Sequence, residues 1–324
     1  MRFATPLGWA ASRWELGPRA LRWSTTAALV VSVLIVLGGG VVRVTGSGLG
    51  CPTWPTCDAG SLTPIPALGY HAIIEFTNRT ITGLLIVAVG WAIVAARLQR
   101  PRDRALTRLA WSMFWLVVVN AVAGGITVLV QLNPWVVAFH FVLAMALLAT
   151  ATLTWHRARR PGERDTVVAP RTRALAWTLV VATAALVVVG TIVSGAGPHS
   201  GDSSDVPRIG GSDTAVWTTV VWVHAAIATL VIALTVAAIV LLRGAARRRA
   251  ITLLVVLLLQ WAVGGVQALT GLPSVLVAIH LVGAALVWVG AIRVLLDADP
   301  RLFALRGPAT RPAATTQPQA GPAR

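Results

Sequence analysis

The chain has 324 residues, 56% of them hydrophobic and 12% charged, with a net charge of +16 and a mean hydropathy of +0.77. Soluble domains carry about a quarter charged residues, so this composition excludes an ordinary soluble enzyme and points to a protein of the bilayer. The positive charge is all arginine. Because it falls between apolar runs, it reads as a topology signal with attraction to membrane lipid, and no nucleic-acid partner is expected.

Residues 1–24 form a basic N-terminal segment with Arg2, Arg13, Arg19 and Arg22. Apolar runs of about 20 residues, the length that crosses a bilayer, follow at 25–44, 73–96, 106–130, 135–155, 174–194, 215–242, 251–270 and 274–296. The first run is long and starts late, so it reads as a retained span and not a cleaved signal peptide. The fold class expected is an all-α polytopic membrane protein, with about eight transmembrane helices as two pseudo-symmetric four-helix bundles. One half covers 25–156, a linker 157–173, the other half 174–296, and 297–324 reads as a disordered tail rich in Pro, Ala and Thr. Arginines cluster before the first span and after the second, fourth and sixth, which places both termini in the cytoplasm of a cell (plasma) membrane protein.

The outer loop at 45–72 holds the chain's two cysteines, Cys51 and Cys57, with Pro52 and Pro55 between them. Two cysteines six apart facing an oxidising compartment suggest one disulfide, whereas zinc would want further ligands. The other long outer loop, 195–214, has His199, Asp202, Asp205 and Asp213 and reads as a solvated surface. The two long loops enter through related sequences, Thr45-Gly46-Ser47-Gly48 and Ser194-Gly195-Ala196-Gly197.

The halves repeat elsewhere too. Asn120 to His140 and Gln260 to His280 each run amide, Gly-Gly, apolar turn, histidine, the second 140 residues after the first. His140, His224 and His280 lie at one depth, about two turns from the outer ends of their spans at 1.5 Å per residue. An imidazole at that depth must meet protein, water or metal. A helix-to-helix hydrogen bond is one reading; for His224 with His280, axial coordination of a heme iron is the stronger. Ala225, Ala226, Ala228, Gly283 and Ala284, with Gly264 and Gly265, would let a flat macrocycle approach. Matching span two to span six sets Asn78 against His224, so the first half lacks one imidazole. Glu75 and Arg79 share a helix face with Asn78 and His71, either as an internal ion pair or as functional groups.

Gly39-Gly40, the loop from Thr45 to Cys51 with Trp54-Pro55 and Cys57, the run Glu75-x-x-Asn78-Arg79, and His140, His224 and His280 together resemble the heme A synthase family, in an actinobacterial-type form with Asn78 where the family motif has histidine. The resemblance implies an oxidoreductase that converts the C8 methyl of heme O to the formyl of heme A for cytochrome oxidase. It implies heme b as cofactor on His224 and His280 in the C-terminal half, and heme O as substrate in the N-terminal half with His140 on its iron. Glu75, Asn78 and Arg79 become the catalytic candidates, with His71 as a rival ligand. The partners implied are a heme O synthase (protoheme farnesyltransferase), an unidentified electron-transfer partner and cytochrome oxidase assembly. The alternative is a bis-histidine b-type membrane cytochrome passing electrons between quinone and a partner.

Overall fold

A computed structural model describes residues 5–159, 169–199, 201–202, 206–211 and 213–303. Its elements are α1 (Pro6–Arg13), α2 (Pro18–Val44), α3 (Gly69–Arg97), α4 (Arg104–Leu129), α5 (Pro134–Arg157), α6 (Pro170–Ala196), α7 (Thr214–Leu241), α8 (Gly244–Leu269) and α9 (Ser274–Ala298), with 3₁₀ turns at Pro66–Leu68 and Pro300–Phe303. Eight of these helices are long and apolar enough to cross a membrane. That follows from solvent: with no water in the bilayer core, backbone groups must pair within the segment, and a helix does so completely.

Ends differ from the sequence reading where polar or aromatic residues continue a helix past its apolar run. Within the N-terminal segment, α1 and the first turns of α2 are helical. Leu16 N–H donates to Leu98 O, and the Gln99 amide donates to Leu16 O, which seats the segment on the α3–α4 connection. Of the expected linker and tail, residues 160–168 and 304–324 lie outside the described residues.

The spanning helices pack as two rings of four, α2 to α5 and α6 to α9, with α2 and α5 meeting α9 and α5 also meeting α6. Lipid tails are as apolar as leucine, so close packing holds such rings, and small residues allow it. Ala28, Ala92 and Ala110 are fully buried in one ring, Ala176, Ala238 and Ala291 in the other. Buried hydroxyls satisfy themselves on the preceding turn, as Ser32 does on Ala28 O at 2.7 Å and Thr235 on Val231 O at 2.7 Å. A third cluster of Val36, Met145, Leu148 and Ala285 joins the rings, and Trp288 Nε1 donates to Met145 O across it at 2.9 Å.

The short outer turns repeat at the 140-residue offset. Leu132 (φ 55°) donates to Thr127 O at 2.8 Å, and Leu272 (φ 60°) donates to Gln267 O at 2.9 Å. Left-handed backbone is uncommon for leucine, so its use at both matching positions shows that the repeat extends to loop geometry. At the arginine-rich end the hairpins are tied by ion pairs of opposite polarity. Arg157 on α5 reaches Asp103, the cap of α4, at 2.6 Å, whereas Asp297 on α9 receives Arg249 of α8 at 3.4 Å.

Candidate functional site

The outer end of α3 organises the first half. Arg79 Nη2 lies 2.5 Å from Glu75 Oε1, one turn away, with side chains 23% and 8% exposed. The pair does more than neutralise itself. Glu75 Oε2 accepts from Cys51 N–H at 2.7 Å, and the Arg79 guanidinium donates to the carbonyls of Thr56 at 3.0 Å, Thr53 at 3.2 Å and Cys51 at 3.4 Å. The loop's inward carbonyls and one inward N–H therefore end on a guanidinium and a carboxylate, which are charge-assisted bonds stronger than neutral ones. Cys51 and Cys57 are fully buried there and joined as a disulfide, S–S 2.03 Å.

Two contacts draw the loop over the helices. Gly50 lies against the backbone of His71 and Ala72, where a Cβ would come 2.5 Å from the His71 carbonyl carbon, so only glycine allows the approach. The Trp54 indole covers Gly125 of α4, filling the place a side chain would take. Gly124, next in sequence, faces the His140 ring, with its Cβ position 3.2 Å from Cε1. A continuous line of contact thus runs from Glu75 through the disulfide loop and Trp54 to the wall beside His140.

His71 is used elsewhere. Its Nδ1 bonds Ser47 Oγ at 2.9 Å, which bonds Thr45 Oγ1 at 2.8 Å, and its ring lies 4.0 Å from that of Tyr70. The Asn78 amide packs on Gly38 of α2, with Oδ1 buried and unpartnered among the described residues.

The second outer loop is engaged with the first, which corrects its reading as a solvated surface. Gly48 N–H donates to Gly201 O at 2.8 Å, Leu49 N–H to Asp202 Oδ2 at 3.2 Å, and Arg43 Nη2 to Ser194 O at 2.6 Å. His199 bonds Leu272 O at 2.8 Å, and Asp213 caps α7 by accepting from Ala215 N–H at 2.8 Å. Asp205 lies outside the described residues.

In the second half, His224 of α7 and His280 of α9 face each other with ring centroids 6.4 Å apart and planes at 58°. Each ring rests against a glycine. The Gly190 Cβ position is 3.2 Å from His224 Cε1, and the Gly264 position is 3.5 Å from His280 Cε1. Nδ1 of His140, His224 and His280 are all buried without partners among the described residues. The expected heme ligands can be tested on these facts. Two imidazoles on one metal atom, each bonded at about 2 Å, place their ring centres about 6 Å apart, and 6.4 Å fits. Among the described residues no group of three or more His, Cys, Asp or Glu side chains is placed to hold a metal ion, so the paired imidazoles are the donor set that fits here.

The glycines serve differently from the sequence reading. Gly283 does not leave room for a macrocycle, because the Gln260 amide packs over it. Gly124, Gly190 and Gly38, which sequence reasoning passed over as site residues, seat His140, His224 and Asn78. The duplicated Gly-Gly was the available signal for Gly124. Between α2 and α9 lies an apolar cleft of about 520 Å³ walled by Leu37, Val41, Val282 and Leu286, with Gln260 at its polar point.

Residues 22–292 match the family model described as COX15-CtaA, cytochrome oxidase assembly protein. The chain belongs to that family. Among curated relatives, a heme A synthase of Symbiobacterium thermophilum is 37% identical over 187 residues, covering 54% of this chain and 59% of the relative. A heme A synthase of Staphylococcus saprophyticus is 28% identical over 54% of this chain and 58% of the relative. One of Staphylococcus haemolyticus is 33% identical over 39% and 41%. The chain therefore spans between two-fifths and three-fifths of the length of these relatives. COX15-CtaA membership and eight helices able to cross a bilayer make this a multi-pass membrane protein of that family.

Proposed function

We propose that this protein is a heme A synthase, an oxidoreductase that converts the C8 methyl of heme O to a formyl group. The observation that carries the reading is the asymmetry of the halves: His224 faces His280 at 6.4 Å, while the position matching His224 in the other half is Asn78. The names of the curated relatives support the same reading.

His224 and His280 would hold a heme b. A heme held by these two imidazoles would supply electron transfer. Taking a methyl to a formyl is an oxidation that removes electrons and protons from the substrate carbon, so the protein needs an electron acceptor and a group that takes up protons. His140 would hold the iron of the substrate heme O in the N-terminal half, as the single imidazole that half offers at this depth. Asn78 brings a buried, unpartnered Oδ1 to that half as a hydrogen-bond acceptor. Glu75 is the carboxylate proposed to hold and pass a proton, Arg79 stabilises its charged form, and together they keep the disulfide loop in place. His71, committed to Ser47, serves the loop and is not proposed as a replacement ligand.

We further propose a plasma-membrane location with the arginine-rich ends of the helices in the cytoplasm, a heme O synthase as the source of substrate, and a separate electron-transfer partner. The test is chromatographic heme extraction from a host lacking heme A that makes this protein with a heme O synthase. Heme A or its hydroxymethyl precursor is expected. Heme O and heme b alone, from folded and heme-loaded protein supplied with an electron acceptor, would replace the reading with that of an electron carrier.

A further inference from the structure

At the arginine-rich end of the first half, at the opposite end of the helices from His140, His224 and His280, a second cavity of about 310 Å³ is lined by Arg19, Arg22, Trp23, Thr26 and Arg159. Its three guanidiniums converge from two elements, the start of α2 and the residues just after α5. Arg159 is built in. Its Nη2 donates to Thr26 Oγ1 at 2.5 Å and Arg22 O at 3.1 Å, its Nη1 donates to Trp155 O at 3.0 Å and Thr25 Oγ1 at 3.4 Å, and its Cζ stands 4.1 Å from the Trp155 ring centre. All of these acceptors are neutral. Among the described residues no carboxylate lies within ion-pair distance of Arg19, Arg22 or Arg159, and the exposed guanidiniums of Arg19 and Arg22 make no hydrogen bond.

Such crowding needs an explanation. Burial and the neighbouring Arg22 charge both push the Arg159 guanidinium below its ordinary value, so the cluster strains against its own repulsion. Arg19 and Arg22 also stand in the first turns of α2, where the helix dipole disfavours cations. An anion seated among the three would relieve both costs. Trp23, 68% exposed beside the cavity, is the residue type that settles at the headgroup level of a bilayer, and the apolar length of α2 begins one turn on, after Ser24, Thr25 and Thr26. The anion is therefore met at the membrane surface, with acyl chains lying along a span.

We propose that Arg19, Arg22 and Arg159, with Thr26 and Trp23, bind the phosphate of an anionic phospholipid of the leaflet at the arginine-rich face. The guanidiniums supply the charge and planar donor pairs that suit phosphate, and the Trp23 ring lies against the glycerol and upper acyl region. The bound lipid fastens α2 to the end of α5. This site is independent of the heme chemistry proposed above.

The test uses the full-length protein in nanodiscs of phosphatidylcholine with graded phosphatidylglycerol or cardiolipin, read by the lipid retained after mild detergent extraction and by the thermal midpoint. The variant is Arg19→Gln/Arg22→Gln, which leaves the anchoring bonds of Arg159 in place. Anionic lipid should co-purify with the wild type and raise its midpoint, and the double variant should bind it about 30-fold more weakly, from roughly a kcal/mol per surface arginine. In phosphatidylcholine alone the double variant, relieved of the cluster's own repulsion, should melt no lower than the wild type, which separates lost lipid from lost folding. Equal retention by both proteins would overturn the proposal. So would an equal stabilisation by millimolar inorganic phosphate in phosphatidylcholine, which would make this a free-anion site. A third arm, Glu163→Gln/Asp165→Asn, addresses the chain's own linker carboxylates: if the wild type takes up no anionic lipid and this variant does, the cluster is satisfied internally and the proposal fails.

Discussion

The two halves share a backbone plan and differ in what they do with it. In each, a glycine sixteen residues upstream seats the histidine of the last helix, Gly124 for His140 and Gly264 for His280. In each, the amide at the head of the repeat, Asn120 or Gln260, keeps a buried carbonyl oxygen without a partner among the described residues. The divergence is on the second helix and above it. The second half places His224 opposite His280, under a loop without cysteine. The first half replaces that imidazole with Asn78 and adds a disulfide loop clamped by Glu75 and Arg79. Duplication supplies two equivalent helical frames, and one substitution with one loop separates a half with two facing imidazoles from a half with one imidazole under a clamped loop.

The largest effect expected from breaking this comparison is at the paired imidazoles. His280→Ala or His224→Ala should abolish the low-spin heme absorption of the purified protein, while His140→Ala should leave it intact. Equal losses from all three substitutions would show that the halves are not specialised. Arg79→Ala comes next, because it strands a buried carboxylate. The loop should be destabilised by about 3–5 kcal/mol, seen as faster proteolysis near Thr53 to Thr56, with the C-terminal heme signal unchanged. A loop that resists protease in that variant would remove the clamp from the account.

A smaller effect is expected at the arginine-rich end, where Asp103 ties the first half. Burial alone would raise the Asp103 carboxyl, but the Arg157 donors and the N–H groups of Leu106 and Ala105 hold it below the usual value. A carboxyl depressed in the folded state stabilises fully above its unfolded value of about 4, and that contribution is lost as pH falls through the folded value. Asp103→Asn should therefore cost about 1–3 kcal/mol at neutral pH, and the gap from wild type should close below about pH 4 in thermal melts. A gap constant across that range would refute the linkage. The smallest contrast is between the two glycine seats. Gly124→Ala meets His140 at 3.2 Å and should cost about 1 kcal/mol, whereas Gly264→Ala meets His280 at 3.5 Å, an ordinary contact, and should be neutral or slightly stabilising through helix propensity.

What the sequence by itself determined is what periodicity and solvent demand. Eight apolar runs must be helices because nothing else satisfies a backbone in lipid, and the histidines share a depth because residue count along a helix is distance. The duplication was equally plain, since it is a property of the string. Helix ends were less legible: α2 starts at Pro18 and α3 at Gly69, before their apolar runs, because a proline at the first helical position and the preceding turn set an end and hydropathy does not. The roles of Glu75, Arg79, His71 and Trp54 were left to the tertiary structure. Their partners are loop carbonyls, Ser47 Oγ and a glycine surface on α4, contacts that no spacing encodes. The joining of the two outer loops through Gly48 and Gly201, about 150 residues apart, is of the same kind. Local physics writes a repeating signal into sequence; a single hydrogen bond between distant segments leaves none, and only the folded chain brings its two ends together.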